Sequence, residues 1–250
     1  MATRIVRAPA LVLRIRSVGE HHRGLSMLVS GEGLIMPMAF GAQSKRSALR
    51  GAALPYNSGI ANLHFDGVRA RWRLTGFDTV DSHDGLRENL DRFYAATTWA
   101  EILLNTHGSG GDSAAVFNLA SRALSLLSDT ESRDIGRLNA AFIWFFLVIE
   151  GVHPNLEHCG RCGGPLGGAR AAVRYRPDAV LLGPECSNEN LPSLPDEVRE
   201  WLADSEGIES ALRVSLSPAA VQAAESWLLS VIQTLLERPL KSVGASRGPL

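Results

Sequence analysis

Two groups of residues could do chemistry in this chain. The first is GVRARWRLTG (67–76), where Arg69, Arg71 and Arg73 alternate with Val68, Ala70, Trp72 and Leu74. Successive side chains of an extended chain point to opposite faces, so this spacing predicts a strand. Val68, Trp72 and Leu74 would close a core, and the arginine face would be solvated or would neutralise phosphates. The second group is HCGRCGGPL (158–166), which sets Cys159 and Cys162 in the C-x-x-C spacing of a zinc knuckle. A four-thiolate site needs a second pair, but only Cys186 follows, and three positions beyond it stands Glu189. Cys159, Cys162, Cys186 and Glu189 are therefore the candidate ligands for one structural zinc. His158 is a further donor, although its adjacency to Cys159 makes simultaneous ligation awkward. A carboxylate is an uncommon fourth ligand in structural zinc sites, so the segment also reads as a knuckle loop that keeps its turn without the metal.

Charge separates the chain into two parts. Formal net charge is -1 over 250 residues, yet residues 1–80 hold 11 Lys/Arg against 4 Asp/Glu, while residues 81–250 hold 14 against 22. A basic module ahead of an acidic remainder is a footprint for polyanions, or for an acidic neighbour. Its basic positions form the candidate DNA-contact set: Arg14, Arg16 and Arg23 in strand-like segments, Lys45, Arg46 and Arg50 in the loop GAQSKRSALR, and Arg69, Arg71 and Arg73. Tyr56, ahead of the fourth strand, is a candidate for stacking on a base or for a core or rim role, and Trp72 is assigned to the core.

Catalysis finds no support, because no phosphate-binding loop, dinucleotide fingerprint, H-E-x-x-H or G-x-S-x-G occurs. His21, His22 and His107 read as solvated surface residues. The chain reads as a non-enzyme. A protein-interaction scaffold with a basic barrel, or a metal-dependent hydrolase built on the cysteines, are the alternatives.

The elements that must position these residues follow from periodicity. Apolar runs at 10–16, 23–29, 34–40, 58–65 and 68–77, with glycine-bearing turns at Ser30 to Gly33 and Asp66-Gly67, predict five strands in about 80 residues, which fits an OB-type barrel. In the first strand Leu11, Leu13 and Ile15 face one way, and Arg14 and Arg16 the other. Past Asp81 the period becomes helical. A stripe of Leu86, Leu90, Phe93, Tyr94 and Leu103 follows a cap at Asp84, and Gly108 to Gly111 breaks the pattern. Helices are then expected at 113–127 and 133–150, the last stopped by Gly151, and again from Ser217-Pro218. The predicted fold is thus α+β multidomain: a five-stranded OB-type β-barrel over 1–80, then an α-helical bundle over 81–250, interrupted by a zinc-knuckle-like cysteine insertion at 156–192. The most apolar run, Ala140 to Ile149, is about half a bilayer span, and three cysteines suit a reducing compartment. A cytoplasmic location without membrane contact is expected.

Several stretches in order resemble the bacterial RecO recombination mediators. They are APALVLRIRSVGEHHRGLSMLVSGEGLIMPMAFGAQSKRSALRG near the start, WFFLVIEGVHPNLEHCGRCGGPL in the middle and ERPLKS near the end. The resemblance implies an N-terminal OB domain, a helical domain, and a cysteine insertion that binds zinc in some members. It also implies binding of single- and double-stranded DNA, annealing of complementary strands, association with RecR, and help in loading RecA onto DNA coated with single-strand binding protein. A groove in the helical half would take the C-terminal tail of that protein if basic residues such as Arg122, Arg133 and Arg137 cluster there. Glu189 at the fourth cysteine position departs from the family pattern, as does Ala42-Gln43-Ser44 where many members carry arginine.

Overall fold

The computed structural model describes residues 3–44, 46–49, 54–106, 112–166 and 173–246, with side chains through 243. The sequence readings at Lys45, Arg50, His107 and the Gly108 to Gly111 break lie outside these residues. Two compact units emerge, Met1–Asp129 and Thr130–Leu250.

In the first unit the strands are β1 (Arg4–Val18), β2 (His22–Val29), β3 (Gly33–Ile35), β4 (Met38–Ala39), β5 (Ser58–Asp66) and β6 (Arg71–Asp81). Pro37 divides one predicted strand into β3 and β4, which both pair antiparallel with β2. β1 pairs antiparallel with β2 and with β5, and β5 with β6. A parallel pairing of Met38 with Arg73 closes the ring. This is the expected five-stranded OB-type barrel. Its interior is filled by Ala10, Val12, Leu25, Met27, Val29, Leu63, Leu74 and Phe77. The loop after β4 folds back on the barrel, because Ala42 is buried in that core and Leu49 packs against it.

The first strand corrects the expected facing. A bulge between Val12 and Arg14 shifts its parity, so Ala10, Val12 and Ile15 serve the barrel core. Leu11 and Leu13 are buried outside that core cluster, on a strand that also meets helices.

These helices are α1 (Gly85–Glu88), α2 (Leu90–Asn105) and α3 (Ser113–Asp129). The barrel ends at Asp81, and these three helices belong to its compact unit. Asn89, in extended conformation, separates α1 from α2, and its side chain accepts the Asp91 and Arg92 N–H groups. The break resets the helical phase. Leu90 and Phe93 are therefore exposed rather than on the buried stripe, while Trp99, Ile102 and Leu103 are buried. Asp84 makes no capping bond and instead pairs with Arg87 at 3.0 Å. Tyr56 is buried, with its hydroxyl 3.0 Å from Thr97 Oγ1, so it is a packing residue and not a stacking surface.

The second unit is built on α4 (Ser132–Ile149), whose Leu138, Phe142, Ile143 and Phe146 are buried. Helices α5 (Asp196–Asp204), α6 (Ile208–Arg213), α7 (Pro218–Leu235) and α8 (Lys241–Ser246) follow the cysteine segment. Gly151, at φ +71°, ends α4 as expected. The Ser217 hydroxyl caps α7 from the Ala220 N–H at 3.2 Å, with Pro218 in the first turn. No described helix is long and apolar enough to cross a membrane.

Candidate nucleic-acid interface and metal centre

One cleft of about 670 Å³ opens on the barrel. β1 contributes Arg16 and Val18 to it, and β2 contributes His22. The β3–β4 segment adds Met36, Met38 and Phe40, and β5 adds His64 and Asp66. Arg69 comes from the β5–β6 turn, and Arg71, Trp72 and Arg73 from β6. Four of the nine predicted DNA contacts therefore meet at one place. Arg14 and Arg46 are exposed but do not line it, and neither does the half-buried Arg23. Lys45 and Arg50 lie outside the described residues.

The arginines reach the cleft by different routes. Arg71 and Arg73 stand on the outer face of β6 as the alternation predicted, with Leu74 buried and Trp72 half-buried between core and cleft. Arg69 does not share that face. Residues 67–70 form a turn, where the Asp66 carboxylate accepts the N–H groups of Val68 (3.0 Å) and Arg69 (3.1 Å) and pairs with the Arg69 side chain at 3.6 Å. These bonds, the Arg69 N–H foremost, hold the Asp66 carboxyl below its ordinary range despite some burial. Val68 sits at the tip of this turn and is 95% exposed, so it closes no core. Arg16 lies across β2 because its pairing partner is Gly24: a Cβ there would come within 2.6 Å of Arg16 Nε. Among the described residues, Arg16, Arg71 and Arg73 have no carboxylate partner, so no protein carboxylate neutralises their charge.

An apolar platform accompanies this charge. Phe40 is 49% and Met36 60% exposed. The Arg73 guanidinium lies 4.8 Å from the Phe40 ring centroid, and His22 meets the same ring edge-on at 5.1 Å. The Gly41 N–H donates to His22 Nδ1 at 3.0 Å, and the Gln43 side chain donates to the His22 carbonyl at 2.9 Å. The Gly41 bond orients the imidazole and the Gln43 bond holds the backbone that carries it, so His22 is a positioned wall of the cleft and not the solvated residue expected. Phe65 packs on Trp72 at 5.1 Å behind it, with the Arg4 guanidinium 5.2 Å from the Trp72 ring. Cations beside exposed flat or flexible apolar groups suit a strand that offers both phosphates and unpaired bases. Phe40 and Met36 escaped the sequence reading, although Phe40 closing an apolar run directly before a basic loop was a usable signal.

The three cysteines come together in the second unit. Their sulfurs lie within 4.8 Å of one another, with Cys159 buried, Cys186 half-buried and Cys162 exposed. Glu189 and His158 are not part of this group. The strands β7 (Val173–Tyr175), β8 (Leu181–Leu182) and β9 (Ser193–Leu194) carry the segment, in the order β8-β7-β9. Arg199 of α5 donates to the Leu156 carbonyl (3.0 Å) and the Leu166 carbonyl (3.3 Å), holding both ends of the knuckle. Trp227 of α7 donates to the Ala179 carbonyl at 3.0 Å.

Burial raises the Cys159 thiol, but the N–H groups of Gly183, Cys162 and Arg161 and the Cys162 side chain outweigh it and lower it to about 6. A hydrogen bond with Cys162, then burial and its pairing with Cys159, pushes Cys186 up to about 11. The trio stabilises one thiolate and resists a second, because adjacent negative sulfurs repel. A bound cation would remove that repulsion, so the donor set fits a thiophilic ion through three of the four ligands a closed zinc site uses.

Arg122 lies on α3 in the first unit, while Arg133 and Arg137 lie on α4 in the second. Both α4 arginines pair with Asp134, Arg137 at 2.9 Å and Arg133 at 3.6 Å.

The chain matches the family model described as "Recombination protein O C terminal" over residues 87–243. A Rubrobacter xylanophilus protein named DNA repair protein RecO is 33% identical over 224 residues, covering 84% of this chain and 88% of that protein. A Pelotomaculum thermopropionicum protein of the same name is 30% identical over 174 residues, covering 66% of this chain and 62% of its own length. Another, from an Anaeromyxobacter species, is 25% identical over 249 residues, covering 95% and 94%. The family match spans more than half of the chain, and the first relative aligns along most of both proteins; the chain belongs to the RecO family.

Proposed function

We propose that this chain is a non-enzymatic DNA-binding mediator of recombinational repair. Its barrel cleft holds single-stranded DNA while complementary strands anneal. The observation that carries this reading is the meeting of Arg16, Arg69, Arg71 and Arg73 with Phe40 and Met36 in one cleft. The arginines neutralise successive phosphates and release counterions, which makes affinity fall with salt. Phe40 and Met36 receive bases that a duplex would keep stacked, so a single strand gains contacts a duplex does not. Arg14, Arg23 and Arg46, outside the cleft, and the sequence candidates Lys45 and Arg50 supply further phosphate contacts in this reading, including those to double-stranded DNA.

Family membership supports the finer steps: association with RecR, contact with the C-terminal tail of single-strand binding protein, and assistance to RecA loading in the bacterial cytoplasm. The deciding experiment is annealing of complementary oligonucleotides coated with single-strand binding protein, run beside a salt titration of binding to one of the strands. Faster annealing, with binding that weakens linearly on a log–log salt plot, is expected. Absence of binding at low salt would reject the DNA reading in favour of a protein-docking barrel.

A further inference from the structure

The cysteine cluster lies in a different compact unit from the arginine cleft, so its metal chemistry does not rest on DNA binding. Sulfurs at tetrahedral positions around one ion, with metal–sulfur bonds of about 2.3 Å, lie about 3.8 Å apart. Cys159, Cys162 and Cys186, all within 4.8 Å of one another, need only small side-chain adjustments to reach that spacing. A closed structural site would also need a fourth protein donor. Among the described residues none joins the group: Glu189 stands where the sequence spacing calls for a ligand, yet it stays outside. Its backbone is occupied in another way, because its carbonyl accepts from Arg174 at 3.2 Å.

We infer that the segment is an open metal site, in which three thiolates hold one zinc-type ion and the fourth position takes an exchangeable small ligand from solution. Exposure agrees with this arrangement. Cys162 is exposed and Cys186 half-buried, so two of the three cysteines are open to solvent, as an exchangeable fourth ligand requires. The ligand class follows from charge. Three thiolates already exceed the charge of a divalent ion by one, so the open position favours a neutral donor such as water or an imidazole. It offers little Lewis acidity, which argues against a hydrolytic role.

The scaffold holds its shape through backbone bonds that require no ion. The Cys159 N–H donates to the Gly164 carbonyl and the Gly163 N–H to the Cys159 carbonyl, both at 2.8 Å, which forms the knuckle turn. The Gly160 N–H reaches the Leu181 carbonyl at 2.9 Å, and the Cys186 N–H reaches the Gly183 carbonyl at 3.0 Å. These bonds bring the Cys186 branch to the knuckle. Metal can therefore come and go without unfolding the unit, whereas zinc fingers unfold when the ion leaves.

The test uses the full-length, fully reduced chain loaded with Co2+ in place of zinc. One equivalent should bind, giving thiolate-to-metal charge-transfer absorption and visible bands that shift when imidazole is titrated in. Removing metal with a chelator should leave the far-ultraviolet circular dichroism unchanged. Cys186→Ser should lower Co2+ affinity by at least tenfold and reduce the charge-transfer intensity by about a third, in proportion to the thiolates lost. Cys162→Ser, at the exposed position, gives the same readout if the first variant folds poorly. Visible bands that ignore imidazole would mean a closed site with a fourth protein donor and would overturn the open position. No Co2+ or Zn2+ uptake by the reduced chain, or loss of secondary structure on chelation, would overturn the site as described.

Discussion

The arginine cleft and the cysteine knuckle place functional groups by opposite means. β1 and β6 are 15 and 11 residues long, and their pairing registers decide which side chains face outward. β7, β8 and β9 are two or three residues long, and the knuckle depends on glycine turns and side-chain clamps from α5 and α7. Charge tolerates an ångström of displacement, so a regular strand face suffices for phosphates. Metal ligation does not tolerate it, which is why each cysteine branch is tied by its own backbone hydrogen bonds.

The largest expected effect comes from removing the charge while sparing the scaffold. Changing Arg16, Arg71 and Arg73 together to Glu should weaken single-strand binding by about 10³-fold or more at low salt, at about 1.5 kcal/mol per charge-assisted contact. The log–log salt slope should become shallower by about 2, from about 0.7 per phosphate lost. Fluorescence anisotropy across salt concentrations measures both, and an unchanged slope would place the DNA path elsewhere. Cobalt binding should be unaffected. Leu74→Ala attacks the scaffold itself. It leaves a cavity in the barrel core and should cost about 2–5 kcal/mol in urea unfolding of that unit. A loss below 1 kcal/mol would contradict the packing described.

Phe40→Ala separates stacking from charge. A loss of about 1–3 kcal/mol in single-strand affinity is expected with no change in salt slope, and with a smaller effect on duplex. Equal losses on both DNA forms would remove the stacking role. Gly163→Ala probes the other region: at φ +73° a side chain is strained by about 1–2 kcal/mol, which should weaken cobalt uptake several-fold while leaving DNA binding intact. The smallest effect belongs to Asp66→Ala. The folded-state pKa of this carboxyl is lowered, so its support of the turn is present at neutral pH and lost as pH falls through that lowered value. Thermal scans should show a slightly lower midpoint for the variant at pH 7, converging with the parent in acid.

Much of the scaffold was legible because local chemistry and tertiary structure agree. Gly31, between β2 and β3, and Gly33, at the start of β3, adopt positive φ, and Ser217-Pro218 starts a helix. Failures arose where one residue shifts a phase. The bulge after Val12 and the extended Asn89 each invert the facing of the residues beyond them, and periodicity carries no mark of either. The cleft was half legible for a related reason. Alternation showed that Arg71 and Arg73 share a face, but not that this face meets Phe40 and Arg16, since closure between residues 38 and 73 is non-local. At the knuckle, spacing brought three cysteines together correctly, while the position of Glu189 outside the group depended on the loop that carries it.

Closure by the parallel β4–β6 pair also bears on how the chain is made. β1 leaves the ribosome with one edge paired to β2 and the other open until β5, some forty residues later, can dock. A growing chain therefore carries an unpaired strand edge for seconds, long enough to pair with a neighbour. Arg4 and Arg7 stand on the part of β1 that later pairs with β5, and like charges at such positions discourage two nascent edges from joining.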